Sequence, residues 1–376
     1  MKILFSAGES SGDQHAANMF LELQDLQPDI IGIGMGGSKM AQAGIDIRYD
    51  SGNIAVIGVV EVIKHYPEIR RALTLMKQLV AKERPDLLVC VDYKEFNFKL
   101  ARYAKGLGIK VLFYVSPQVW AWRPGRVRTY GKVIDMMAVI FPFETAYYEA
   151  EKVPVRYVGH PSVDKIRPRF NRDDALKHFG LDKSKPIVGL LPGSRANEIN
   201  RLLPVMLAAA EKIQFDLSDC QFILPQADSI SDAMLEVDLR QSSLAIKVIK
   251  SQPYDVIQCC DAVMTSSGTA TLEIALLTVP MVIVYKLSSL TYWLGKKLVN
   301  IPFIGLPNIV LGKSFIKELI QHEATAEKLS DEVLKILTDN TYADEMRENL
   351  LQVKKQLGQG GGSKNMALLV LEMLSV

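Results

Sequence analysis

Short, nearly uninterrupted apolar runs alternate with longer stretches of helical periodicity, and this alternation constrains the fold most. "KILFSAGE" (2–9), "DIIGIGM" (29–35), "DLLVCVDY" (86–93), "KVLFYVSP" (110–117), "MMAVIFPF" (136–143) and "VRYVGHP" (155–161) form a first set. "IVGLLPGS" (187–194), "QFILPQA" (221–227), "AIKVIK" (245–250), "DAVMTSSG" (261–268) and "PMVIVYK" (280–286) form a second. Strands that face water on one side alternate apolar with polar, whereas strands covered on both faces read as continuous runs. With helices between them, these runs read as βαβ units of parallel sheets. The polar stretch 165–186 separates the sets and reads as a linker. After 324 the pattern is helical, interrupted by "GQGGGSK" (358–364). The predicted fold class is α/β, two Rossmann-like doubly wound domains with an intervening cleft. The predicted division is 1–165, 166–350 and a terminal helix 351–376. That helix is expected to return to the first domain or to be exchanged between protomers, so a homodimer is left open.

Length and charge narrow the functional classes. A chain of 376 residues, at roughly 150 per domain, makes two or three domains. Its 48% hydrophobic content excludes a disordered chain. A formal net charge of +2 argues against a general nucleic-acid binder. The longest apolar runs, 202–210 and 366–374, fall short of the roughly 18 residues that a spanning helix needs. The N-terminus reads as a strand and not as a signal peptide, so the chain is expected to stay in the cytoplasm. Cys90, Cys220, Cys259 and Cys260 form no CxxC pair, so neither a zinc site nor a disulfide framework is expected.

Ligands of doubly wound sheets bind beyond the C-terminal ends of the strands, and the unusual residues cluster there. In "AGESSGDQHAA" (7–17), Gly8 and Gly12 permit a tight turn. Ser10, Ser11 or Asp13 can cap the next helix. Glu9 and Asp13 would repel phosphate, so the loop suits sugar hydroxyls; a generic turn is the competing reading. In "VCVDYKEFN" (89–97), Asp92 is a candidate general base, against a helix N-cap. Glu95 and Asn97 follow one turn later. In "YVSPQVWAWRPGRVR" (114–128), Trp120 and Trp122 supply flat faces, and Arg123, Arg126 and Arg128 can hold a phosphate. The competing reading is a surface loop packed by its own aromatics.

In "LLPGSRANEI" (190–199), the amides after the strand and Arg195 make a candidate diphosphate site, although neither GxxxxGK[ST] nor GxGxxG is present. In "SSGTATLEIA" (266–275), Ser266, Ser267, Gly268 and Thr269 crowd a helix start, and Glu273 can accept both ribose hydroxyls or pair back as a capping box. His160 in "VGHP" and the strand end "FPFE" (141–144) are weaker candidates. So are two apolar stretches, 54–71 and 291–308, the second carrying Tyr292, Trp293, Lys296 and Lys297. Aromatics beside lysines suit a membrane interface, and helices docking on the sheets are the alternative. No DxD follows any predicted strand, so the phosphates fall to helix N-termini and cations. A phosphate site in one half and a lone carboxylate in the other fit a metal-independent glycosyltransferase of the two-lobed type.

"AGESSGD", "GMGGSKMAQAG" (34–44), "VIGVVEV" (56–62), "YVSPQVWAWR", "FPFE", "VGHP", "LLPGSR", "SGTATLE" and "LPNIV" (306–310) together resemble the lipid-A-disaccharide synthase family, in family order from about residue 3 to residue 321. The resemblance implies an inverting transfer from UDP-2,3-diacylglucosamine to 2,3-diacylglucosamine 1-phosphate, giving a β-1,6-linked disaccharide and UDP. It implies no cofactor and no metal. Asp92 matches the family's essential acid, in "DYKEFN" where Glu95 replaces the usual Asp. Arg195 matches the diphosphate arginine, and Gly193, Ser194, Ser267, Gly268, Thr269 and Glu273 match the nucleotide turns. Asn308, Glu318 and Gln321 match a late motif at the nucleotide pocket. Glu9, Ser11, Asp13, Trp120, Arg123 and Arg126 are the implied acceptor side. Acylated substrates imply a peripheral enzyme on the cytoplasmic face of the inner membrane, with 54–66 and 291–304 as candidate acyl contacts.

Three other classes compete. A related UDP-sugar transferase or epimerase would share fold and pocket, but the "WAWR" loop speaks against it. A non-catalytic nucleotide binder would explain the glycines but not an acid at Asp92. A dinucleotide oxidoreductase lacks its GxGxxG turn.

Overall fold

A computed structural model describes residues 1–54, 66–122, 125–287 and 301–375, with only the backbone of Trp122. The chain divides into two compact units, Met1–Pro161 with Gly360–Val376, and Ser162–Gln359.

The first unit carries strands β1 (Lys2–Ala7), β2 (Ile31–Gly36), β3 (Asp46–Asp50), β4 (Leu87–Val91), β5 (Lys110–Tyr114), β6 (Met136–Val139) and β7 (Val155–Tyr157). They form one parallel sheet in the order β3-β2-β1-β4-β5-β6-β7. Successive residues of β1 and β4 point to opposite faces and both faces are covered. Leu4, Leu88 and Cys90 enter one core, and Ile3, Phe5, Leu87 and Val89 enter the other. This two-sided burial is why these runs show no polar alternation. Strand β3 lies at the edge with exposed Asp46, Arg48 and Asp50, and its polar alternation hid it from a search for continuous apolar runs.

Helix Gly362–Ser375 packs on the first unit. Its Met366, Ala367, Leu369 and Val370 join Ala16, Met19, Phe20 and Leu23 of helix Ser10–Leu26 in the second of those cores. Lys110 Nζ donates to the Met373 carbonyl at 2.8 Å, and Arg156 pairs with Glu372. This packing needs a close backbone approach. A Cβ on Gly159, whose φ is +102°, would sit 3.2 Å from Gly362 Cα.

The second unit carries β8 (Ile187–Leu191), β9 (Gln221–Gln226), β10 (Ile246–Lys250), β11 (Ala262–Ser266), β12 (Met281–Tyr285) and β13 (Glu318–Ile320) in the parallel order β10-β9-β8-β11-β12-β13. The three-residue edge strand β13 was not anticipated. The polar stretch read as a linker differs from the expectation. It contains helix Arg172–Phe179, capped by Asn171 and burying Ala175, Leu176 and Phe179 within this unit. The boundary expected at 350 falls inside helix Asn340–Leu357. The four cysteines are all buried. Among the described residues no helix is long and apolar enough to cross a membrane.

Both sheets reverse direction of strand order at one point, between β1 and β4 and between β8 and β11. Loops leaving the C-terminal ends of such a strand pair diverge to opposite sides and open a crevice. Residues 8–13 and 92–97 flank the first such point, and residues 192–195 and 267–269 flank the second.

Candidate active site

Asp92 follows β4 with a left-handed backbone, φ +46°, and Tyr93 repeats it at +48°. Two consecutive non-glycine residues there cost about 1–3 kcal/mol each and persist only where surroundings hold them. Asn97 does so. Its Nδ2 donates to the carbonyls of Asp92 at 2.8 Å, Ser6 at 3.0 Å and Val91 at 3.2 Å. Its Oδ1 accepts from Ser6 Oγ at 2.6 Å, and the side chain is fully buried. The turn therefore aims Asp92 off the strand end. Asp92 does not serve as a side-chain cap: helix Lys94–Gly106 has Tyr93 at its N-cap, with no capping side chain. Burial raises the Asp92 carboxyl above its ordinary range, with Lys94 and the Tyr93 amide pulling it back. Burial also raises Glu9, and the Asp92 charge raises it further. Glycine is required at position 8 because a Cβ would sit 2.3 Å from the Tyr93 ring.

The acceptor-side candidates separate. Glu9 and Ser11 are exposed on the first loop. Asp13 departs from the expectation of an acid open to ligand. It is buried, and its carboxylate accepts the amides of Gly37 at 2.7 Å, Lys39 at 3.0 Å and Met40 at 3.1 Å. It caps the start of helix Ser38–Gln42, not its own helix. Arg126 pairs with Glu95 and lies over the Tyr130 ring, and Arg128 pairs with Glu151. Trp120 Nε1 donates to Glu144 at 3.3 Å. His160 is buried 4.8 Å from the Phe141 ring, and burial pushes its imidazole down to about 3, so it is neutral at neutral pH. Arg123, the Trp122 side chain, most of 54–71, and Tyr292, Trp293, Lys296 and Lys297 lie outside the described residues.

In the second unit the turn after β8 presents Gly193, Ser194 and Arg195. Gly193 has φ +122°, and a Cβ there would meet Glu198 Oε2 at 2.3 Å. The Ser194 amide donates to Glu198 at 3.0 Å, and Arg195 pairs with the same carboxylate at 3.2 Å. Glu198 thus stands where an incoming anion would find an amide and a guanidinium. It was not singled out from the sequence, although its place one turn into helix Ala196–Asp216 was readable.

After β11, Gly268 and Thr269 are exposed at the start of helix Thr269–Leu276, and Ser267 Oγ donates to the Ile304 carbonyl at 3.0 Å. Glu273 makes no capping box. Tyr254 Oη donates to it at 3.4 Å, Lys165 lies 3.8 Å away, and burial raises its carboxyl.

Asn308, Glu318 and Gln321 brace backbone. Asn308 is fully buried, bonding Ile316 on both sides of its amide and donating to Glu318 at 2.8 Å. Glu318 accepts the Ile304 and Gly305 amides at 2.8 and 2.9 Å. Gln321 accepts the Leu287 amide at 2.6 Å and donates to the Leu287 carbonyl at 3.2 Å. Asn308 and Glu318 shape the turn that meets Ser267, and Gln321 braces the chain after β12 at Leu287. Among the described residues no three His, Cys, Asp or Glu side chains group as a metal site.

A sequence profile of the family described as Lipid-A-disaccharide synthetase matches residues 3–371. The chain belongs to this family. Lipid-A-disaccharide synthase of Geobacter sulfurreducens is 48% identical over 373 residues, covering 99% of this chain and 97% of that protein. The enzyme of the same name from Nitrosococcus oceani is 44% identical over 368 residues, 98% of this chain and 95% of its own. Among solved structures, UDP-GlcNAc 2-epimerase from Neisseria meningitidis bound to UDP-GlcNAc aligns at TM-score 0.63 and 11% identity, covering 99% of this chain and 100% of that one. MurG of Acinetobacter baumannii aligns at 0.59 and 14% identity, covering 99% of each. These likenesses place the chain in the two-domain GT-B fold class. The residue that sequence reading underused in this family member is Asn97, which stood in the quoted motif without a role.

Proposed function

We propose that the protein joins UDP-2,3-diacylglucosamine to 2,3-diacylglucosamine 1-phosphate, releasing UDP and a β-1,6-linked disaccharide 1-phosphate. Membership of the family over nearly the whole chain supports the substrates. The observation that carries the chemistry is Asp92, a raised carboxyl held at a strand end by Asn97.

The reaction is a single displacement. The acceptor 6-hydroxyl oxygen attacks the anomeric carbon while its proton passes to the Asp92 carboxylate. The bond from that carbon to the UDP oxygen breaks, and its electron pair leaves on the β-phosphate. Attack opposite an α-linked leaving group inverts the centre. The second unit takes the nucleotide. Once Glu198 gives way, the Ser194 amide and Arg195 are offered to the diphosphate at the Gly193 turn, and Glu273 beside Tyr254 is the ribose acceptor. The helix starts at Ala196 and Thr269 supply partial positive charge, so the leaving group is stabilised without a metal. The first unit takes the acceptor, with Glu9 and Ser11 toward sugar hydroxyls and Arg126 toward phosphate.

Both substrates carry acyl chains, so on this reading the reaction takes place at the cytoplasmic face of the inner membrane; among the described residues no helix is long and apolar enough to cross it. Incubating the purified protein with both substrates, without added metal, tests the whole reading. UDP and a disaccharide must appear together, and the product must carry the β configuration. UDP release without disaccharide would favour a hydrolase, and conversion of the donor sugar alone would favour an epimerase.

A further inference from the structure

Glu144 is a buried carboxyl of the first unit that the reaction above leaves unused. It closes the turn Pro142–Glu144 after β6 and is 2% exposed. Its Oε2 accepts the Phe141 amide at 3.1 Å, and its Oε1 accepts Trp120 Nε1 at 3.3 Å. Trp120 comes from a different strand end, the loop that follows β5. The same loop is tied a second time to this region, because Ser116 Oγ and Tyr148 Oη lie 2.8 Å apart. Around this clasp the Trp120 ring meets Phe143 edge-on at 5.5 Å, and Phe143 stacks on Phe141 at 5.5 Å. One carboxylate therefore joins the loops after β5 and β6 at the C-terminal edge of the sheet.

We propose that Glu144 is a positioning residue for acceptor binding: its carboxylate locks the Trp120 indole, and with it the 116–122 loop, into the wall that the acylated sugar phosphate meets. This rests on the transferase reading, since it assigns that loop to the acceptor.

The clasp is sensitive to pH. Burial pushes the Glu144 carboxyl up to about 7, and the hydrogen bonds from Phe141, Trp120 and Ser116 hold it from rising further. The titratable groups that face it do not charge in the same range. Burial pushes the Tyr148 phenol above its ordinary value, and His160, across the Phe141 ring, is pushed down to about 3. When the carboxyl takes a proton, it loses its charge and one oxygen gains an O–H, so that oxygen accepts less strongly from the indole N–H or the amide it faces. The clasp is then weakened. Acceptor KM should rise as pH falls through about 7, while kcat at saturating acceptor changes little, because Glu144 touches no reacting atom.

Substituting 5-fluorotryptophan and recording 19F spectra reads the clasp without any substrate, with Trp120→Phe assigning the resonance. In the unaltered protein the Trp120 signal should titrate between about pH 6 and about pH 8. In Glu144→Gln, whose amide places a donor against a donor at every pH, it should stay flat. Glu144→Gln should also raise acceptor KM about ten-fold at the alkaline end, with kcat within about two-fold. Trp120→Phe, which has no N–H to lose, should remove the part of the KM change that centres on about 7, even if Glu144→Gln does not fold, leaving that of the acceptor phosphate's own second ionisation at about 6. A Trp120 resonance in the unaltered protein that ignores pH, or a KM profile in Trp120→Phe that matches the unaltered protein's, overturns the proposal. Absence of any transfer by the unaltered enzyme would sink the transferase reading and leave the 19F result to stand by itself.

Discussion

Asn97 Nδ2 lies 2.8 Å from the carbonyl oxygen of Asp92, and the same amide reaches back to Ser6 on the neighbouring strand. One buried side chain thus ties the ends of β1 and β4 at the place where the sheet order reverses. It holds the left-handed turn that carries the proposed base. Asn97→Ala would leave three carbonyls and a hydroxyl without this partner, at about 1–3 kcal/mol for the first such loss. A drop in thermal stability together with a fall in kcat larger than the change in acceptor KM is expected. An unchanged kcat in folded Asn97→Ala protein would detach the turn from catalysis.

Asp92→Asn removes the proton acceptor while keeping shape. Turnover should fall by about 10²–10⁴-fold, the usual contribution of a positioned base, while calorimetry shows a stable fold. In the unaltered enzyme the rate should fall as pH drops, because only ionised Asp92 accepts the proton. Burial moves that fall above the ordinary aspartate value. A rate that stays level as pH drops from neutrality through that range would exclude Asp92 as the base.

Gly193→Ala would put a Cβ 2.3 Å from Glu198 Oε2 at a φ of +122°. Backbone conformations of this kind cost of order 1–3 kcal/mol for residues with a side chain. The turn should shift, lowering melting temperature and weakening UDP, as isothermal titration would record. Equal UDP affinity in this variant would mean that the turn does not meet the diphosphate.

Arg195→Ala deletes the charge that pairs with Glu198. A hydrogen bond to a charged group contributes about 1.5–3 kcal/mol, so UDP affinity should fall by at least about ten-fold. Uridine, which lacks phosphate, should bind both proteins equally. If uridine weakened as much as UDP, Arg195 would belong to the nucleoside side of the site.

Deleting Gly360–Val376 strips Met366, Leu369 and Val370 from the core they share with Phe20 and Leu23. Each fully buried side chain of this size is worth about 1.5–3 kcal/mol. Three together are worth about 4.5–9 kcal/mol, comparable to the whole margin of a domain at about 5–15 kcal/mol. The truncated chain should aggregate or lose the first unit's cooperative melting. A truncated protein that melts like the full chain would show that the first unit folds without its terminal helix.

Strand positions, parallel pairing and the loops at strand ends were legible from the sequence because burial on both faces leaves a local signature: unbroken apolar runs ending in Gly, Ser and charged residues. Family membership was legible for a similar reason, since its motifs are contiguous. The edge strands Asp46–Asp50 and Glu318–Ile320 were not, because partly exposed or three-residue strands leave no such run.

Partnerships belonged to tertiary structure. Glu95 and Arg126 lie 31 residues apart in sequence, yet they pair. Asp13 reaches 24 residues ahead to the Gly37 amide, which turned an expected ligand-facing acid into a cap. Asn308, Glu318 and Gln321 became braces by the same kind of reach. A carboxylate or amide reads alike in sequence whether it bonds a ligand or a distant amide. Only the folded chain decides which donor comes within hydrogen-bonding distance and how much water is left to compete. Asp92 was visible as an acid at a strand end. Its left-handed backbone, its Asn97 tether and its raised carboxyl came from the packing of β1 against β4 and from the water that packing excludes.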